Sequence, residues 1–149
     1  MIVTFFGHGD RTADAGLQDR LTTLLRSVLL ENPDCLFYLG DYGFFDRLCN
    51  TVLRSLQVEF PACRRIFVTP YRDEDYLSHR GVDLYDEVLV SSVDLRYKRF
   101  AISRRNEWMV LKADLVIAYI DGHYSRAYPF YEYALRKGKR TINLGKLVD

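Results

Sequence analysis

The sequence predicts an α/β fold, a three-layer αβα arrangement around a mostly parallel sheet of about five strands. Three observations predict it. The apolar runs are short and continuous, helical periods separate them, and the two alternate through the whole chain. Continuous runs suit strands covered on both faces. Alternation of strand and helix implies right-handed crossovers and a parallel sheet. The expected architecture is Rossmann-like.

The strands are expected at "IVTFF" (2–6), "CLFYL" (35–39), "RIFVT" (65–69), "DLVIAYI" (114–120) and "TINL" (141–144). Leu17, Leu21, Leu24, Leu25 and Val28 step by three and four, as do Leu48, Val52, Leu53 and Leu56. Each set forms an apolar stripe for packing on a sheet. A third helix is expected over about 97–113 and a fourth over about 127–137. The exception is the stretch 71–95, rich in Asp, Glu, Ser and Gly. It reads mostly as loop, with room for a short strand near 87–90, and a loop of that length in a compact domain is usually a functional lid or a mobile segment.

Composition narrows the function. A chain of 149 residues, 48% hydrophobic and 28% charged, suits one domain spanning 1–149. Lys+Arg 21 against Asp+Glu 20 leaves a formal charge of +1, so no global field draws it to nucleic acid or membrane. Cys35, Cys49 and Cys63 form no C-x-x-C pair, which argues against a disulfide framework or a cysteine zinc site and for reduced, cytoplasmic thiols. The opening "MIVTFFGHGD" fits neither a signal peptide nor a membrane span.

In such a sheet, ligands bind beyond the carboxyl ends of the strands, where helix N-termini present free N–H groups. That directs attention to "GHGD" with Gly7 and His8, "GDYGFFD" with Gly40, Asp41, Gly43 and Asp46, "TPYRD" with Pro70 and Tyr71, "IDGHYSRA" with Asp121, Gly122, Ser125 and Arg126, and the "GK" that follows the last strand. Of the pair Phe44 and Phe45, one is expected to anchor the second helix to the core. On the third helix Ile102, Met109 and Ala113 share a line, with Lys98, Arg99, Arg105 and Asn106 beside it. Cations near a helix N-terminus are opposed by its dipole, so a cluster of them there points to an anion. The alternative is internal pairing with Asp86, Glu87 and Asp94, because guanidinium binds carboxylate and phosphate with equal geometric ease.

The series "FGH", "YLGDYGFFD", "TPY", "KRFAISRRNEWMVLKADLVIAY" and "EYALRKGKRTINL" resembles the SLOG superfamily over nearly the whole chain. These Rossmann-like proteins are related to the LOG "lysine decarboxylase-like" phosphoribohydrolases and to the DNA-processing protein DprA. "RRNEWMVLKAD" is similar to the R-K-x-x-M helix of LOG enzymes. The resemblance implies that Arg105 contacts a nucleotide phosphate or ribose, that the protein binds a nucleoside phosphate or an ADP-ribose-like molecule in signalling or stress response, and that it forms a homodimer.

The chain departs from that pattern where LOG enzymes carry a glycine-rich loop: it reads "DGHYSRAYPFYEYA", with Ser125 and Arg126 at the glycine positions. Arg126 could grip a phosphate or fill the pocket. Glu132 lies too late to match the LOG catalytic glutamate, and in the similar pattern of nucleoside deoxyribosyltransferases Phe130 stands where the nucleophilic glutamate would. Cleavage of an N-glycosidic bond needs a carboxylate. Asp41, Asp46, Asp121 and Asp10 are the candidates, Asp46 reading equally as a helix-start charge. The expectations are therefore a nucleotide binder first, an N-glycosidic hydrolase or transferase second, and an interaction module with a decayed pocket third. His8, His79 and His123 lack metal-ligand spacing, so neither a metal nor another cofactor is expected. Tyr71, Tyr76, Tyr119, Tyr124 and Tyr128 offer the rim aromatic faces for a nucleobase or simply border water.

Overall fold

In the computed structural model the described residues are 1–8, 14–41, 43–79, 82–93, 96 and 98–147, with backbone alone at Tyr76, His79 and Val82. Six parallel strands form one sheet: β1 (Ile2–Gly7), β2 (Leu36–Leu39), β3 (Arg64–Thr69), β4 (Glu87–Val90), β5 (Leu115–Tyr119) and β6 (Arg140–Asn143), in the order β4-β3-β2-β1-β5-β6. Thr4 marks the register, facing Tyr38 on β2 and Val116 on β5.

The helices are α1 (Leu17–Glu31), α2 (Phe44–Leu56), α3 (Glu74–His79), α4 (Ala101–Lys112) and α5 (Tyr128–Arg136). Successive strand residues face opposite layers, so Phe5 and Phe6 enter different cores. On one face Phe5, Phe37, Phe67 and Ile117 meet Leu17, Leu21 and Leu25 of α1 and Phe45, Cys49 and Leu53 of α2. On the other, Phe6, Tyr38, Val68 and Val116 meet Met109 and Val110 of α4 and Ala134 of α5. Each fully buried Leu or Phe contributes roughly 1.5–3 kcal/mol, which fixes these helices on the sheet. Of the phenylalanines opening α2, Phe45 is buried and Phe44 half-buried. The three cysteines are buried and free. Burial pushes the Cys35 thiol up to about 12 and raises those of Cys49 and Cys63.

Within 71–95 the described residues form α3, a 3-10 turn at Val82–Leu84 and β4, the short strand there that adds to the five expected. β4 pairs with β3 from Ile66↔Glu87 to Thr69↔Val90 and stays partly exposed as an edge strand. The third predicted helix begins later than its sequence period suggests: Lys98–Phe100 form a 3-10 turn ahead of α4. No helix among the described residues is long and apolar enough to cross a membrane.

Candidate functional site

The strand order reverses between β1 and β5, since β2 to β4 build outward on one side of β1 and β5 and β6 on the other. At such a switch point the loops leave in opposite directions and open a crevice at the carboxyl edge. A cleft of about 890 Å³ lies there. Phe5, Phe6, Ile102, Met109 and Phe130 supply apolar lining, and the Phe6 and Phe130 rings stack with centroids 5.5 Å apart. Gly7, His8, Asp41, Gly43, Asp46 and Arg47 line it from the ends of β1 and β2 and the start of α2. Arg99, Ile102, Ser103, Arg105 and Asn106 line it from α4 and the turn before, and Tyr124, Ser125, Arg126 and Ala127 from the approach to α5.

The residues singled out in the sequence thus meet at one place, with exceptions. Gly40, Pro70, Tyr71, Asp121 and Gly122 do not line the cleft. Pro70 is buried beyond β3, and the Tyr71 N–H donates to the Thr69 hydroxyl at 3.2 Å. Asp10, Asp94 and the side chains of Tyr76 and His79 lie outside the described residues.

Two glycines serve close packing. A Cβ on Gly40 would stand 2.8 to 3.0 Å from the guanidinium of Arg105, and one on Gly7 would stand 2.4 to 2.7 Å from Phe45. Gly7 lets α2 dock at the end of β1, a joint closed by the Phe45 N–H donating to the His8 carbonyl at 3.3 Å. Gly43 enters α2 at φ 113°, a region other residues rarely adopt. Asp41 stands at φ 49°, which aspartate tolerates better than most side chains.

Arg105 is 1% exposed. Its Nη1 donates to the carbonyls of Val68 at 2.7 Å and Gly40 at 3.2 Å, and its Nε to Asn106 Oδ1 at 2.9 Å. The guanidinium therefore ties the ends of β2 and β3 to α4 and presents a buried positive charge at the cleft wall. The alternative partner Asp86 is engaged elsewhere, holding Arg65 at the amino edge with Nη2–Oδ1 3.5 Å. Arg47, Arg99 and Arg126 are exposed, and among the described residues none of them pairs with a carboxylate. Arg99 instead lies over the Phe100 ring at 4.6 Å. Arg126 borders the cleft without filling it. Arg47 and Tyr124 line the cleft without standing out in the sequence as ligand contacts, although the first abuts the "GDYGFFD" motif and the second is one of the rim tyrosines.

Ser125 caps the approach to α5, its Oγ accepting from the Ala127 N–H at 3.1 Å. Asp46 is half-buried in the first turn of α2, where the helix dipole favours a carboxylate. Asp121 sits against His8, its Oδ1 2.6 Å from Nε2. Burial first and the Asp41 carboxylate next push the Tyr85 phenol upward. Tyr119 turns away into the α1–α2 layer, its hydroxyl donating to Asp14 Oδ2 at 3.1 Å. Glu132 is exposed on α5, and Arg136, one turn on, lies over Tyr133 at 5.7 Å.

No protein-family model matches the sequence, and no curated protein matches it. Among solved structures, the X-ray structure of TM1055, a Northeast Structural Genomics Consortium target, is similar with a TM-score of 0.56 and 14% sequence identity over 94% of this chain and 71% of that one. At that identity the likeness shows the fold, a Rossmann-like α/β fold.

Proposed function

We propose that the domain binds a nucleotide or nucleotide-derived ligand, a nucleoside phosphate or an ADP-ribose-like molecule, in the cleft between β1, α2, α4 and the approach to α5. The observation that carries this reading is the arginine set. Arg47, Arg99 and Arg126 line the cleft without a carboxylate partner among the described residues, and buried Arg105 stands behind them. Arginine forks match phosphate oxygens bidentately. The fully exposed Tyr124 and the half-buried Phe130 offer faces for a base. A cleft of about 890 Å³ is within the usual size of small-molecule sites. The resemblance of "RRNEWMVLKAD" and "GDYGFFD" to SLOG proteins supports the same ligand class.

Thermal-shift measurement against nucleoside phosphates, cyclic nucleotides and ADP-ribose tests it, since a ligand specific for the folded state raises apparent stability, by about 2.7 kcal/mol at a hundredfold excess over Kd. A rise in melting temperature that vanishes in Arg99→Ala/Arg126→Ala is the expected result. A melt that none of these compounds moves would overturn the proposal.

A second reading, hydrolysis or transfer at an N-glycosidic bond, is favoured by one observation: Asp41 and Asp46 both line the cleft, where a carboxylate could stabilise an oxocarbenium-like centre. Asp121 is the weaker candidate, being held against His8 and off the cleft wall. Chromatography for free base after incubation with nucleoside monophosphates decides this, and an absence of release at high protein concentration leaves binding alone.

A further inference from the structure

His8 follows β1 directly and is fixed from several sides. Its N–H donates to the Tyr119 carbonyl at 3.4 Å, its carbonyl accepts from Phe45, and its ring meets the edge of Tyr119 at 5.5 Å. The side chain is 6% exposed, and what it shows lines the cleft. Nε2 lies 2.6 Å from Asp121 Oδ1 and 3.0 Å from the Asp121 backbone nitrogen. One nitrogen cannot donate to the first and accept from the second in the same state. The contact to the carboxylate is shorter and charge-assisted, which makes it the stronger and assigns the proton to Nε2.

In the neutral imidazole Nδ1 then carries the lone pair. Among the described residues it has no hydrogen-bond partner. Nδ1 is not one of the buried polar atoms left without a partner, so it is open to the cleft that His8 lines. A lone pair calls for a donor, and an ionised phosphate offers none, so the arginines and His8 suit different parts of a ligand. A sugar hydroxyl supplies the donor.

We propose that His8 Nδ1 accepts a hydrogen bond from a ribose hydroxyl of the bound nucleotide, so that the cleft selects ribonucleotides over their deoxy counterparts, with Asp121 as the positioning residue that fixes the accepting tautomer. This rests on the nucleotide reading above. A site built to hydrogen-bond a hydroxyl discriminates against the ligand lacking it, because its own polar group is left unpaired.

Calorimetric titration with AMP, 2′-deoxy-AMP and 3′-deoxy-AMP tests the proposal. The wild-type protein is expected to bind AMP roughly five- to tenfold more tightly than at least one deoxy analogue. His8→Phe, which keeps an aromatic ring beside Tyr119 but no acceptor, is expected to bind AMP no better than that analogue. Asp121→Asn covers the case in which His8→Phe does not fold. Its amide can donate to Nε2 and move the ring proton to Nδ1, and the AMP-to-deoxy ratio is expected to fall towards one. Equal wild-type affinity for all three ligands, or a ratio unchanged in the variants, would overturn the role of His8 while leaving nucleotide binding intact. Failure of AMP and ADP-ribose alike to bind the wild-type protein would overturn both.

Discussion

The two edges of the sheet treat arginine differently. At the amino edge Arg65, 7% exposed, is enclosed by Asp86, by Asn50 Oδ1 at 2.8 Å, by Gln57 Oε1 at 2.9 Å and by the Leu84 carbonyl at 2.6 Å. Asp86 in turn accepts from the Arg65 N–H and from Gln57. That network joins α2, β3 and the start of β4 through its own donors and acceptors. At the carboxyl edge three arginines border an open cleft with no carboxylate partner among the described residues. A cation closed in by its own chain is a structural tie, whereas a group of them around a cavity is a place where an anion from outside lowers the free energy.

Removing Arg65 tests this comparison with the largest effect. Arg65→Ala removes the guanidinium's bonds to Asn50, Gln57 and the Leu84 carbonyl together with its contact to Asp86, and loss of such a buried charged donor costs about 1.5–3 kcal/mol. Chemical denaturation reads that loss directly. Arg99→Ala and Arg126→Ala, exposed and unpaired, are expected to stay within about 0.5 kcal/mol of the parent. Equal costs at the two edges would erase the distinction.

Gly7→Ala sharpens the description of how the cleft is held. The added methyl has no room beside Phe45, and overpacking of this kind costs roughly 1–3 kcal/mol. A matching loss of ligand-induced stabilisation is expected, because the same joint sets the start of α2 against His8.

The smallest effect is the pH dependence of the amino-edge network. Burial works against ionisation of Asp86, but the Arg65 N–H, Gln57 and the charge of Arg65 outweigh it and hold the carboxyl below its ordinary value. A carboxyl depressed in the folded state adds stability above its unfolded pKa, and that stability is lost as pH falls through the folded value. The unfolding free energy of Asp86→Asn is therefore expected to fall less than that of the parent below about pH 4. Parallel curves would show that the network contributes no pH-linked stability.

The layers of the fold were legible in the sequence because burial on both faces leaves continuous apolar runs such as "IVTFF" and "LVIAY". β4 was weaker as a signal: Glu87 and Val88 are exposed on an edge strand, so no long apolar run marks it. α3 is six residues long and opens on Glu74 and Asp75, too short for a helical stripe to stand out. At the cleft, spacing brought out Arg105 and Asn106, yet not that the Arg105 guanidinium would be seated over Gly40 and bonded to strand carbonyls. A helical period gives a side chain's direction, while its partners come from β2 and β3, distant in sequence. The His8–Asp121 contact spans 113 residues and depends on β1 and β5 lying side by side. No local pattern encodes it.

The most direct test of the central claim is calorimetric titration of the wild-type protein and of Arg99→Ala/Arg126→Ala with ADP-ribose and AMP at low and physiological salt. Saturable one-site binding to the wild-type protein, weakened by salt, is expected, with a loss on the order of tenfold or more in the double variant, whose melting temperature stays near that of the parent. Binding of equal strength in both proteins, or none in either, would contradict it.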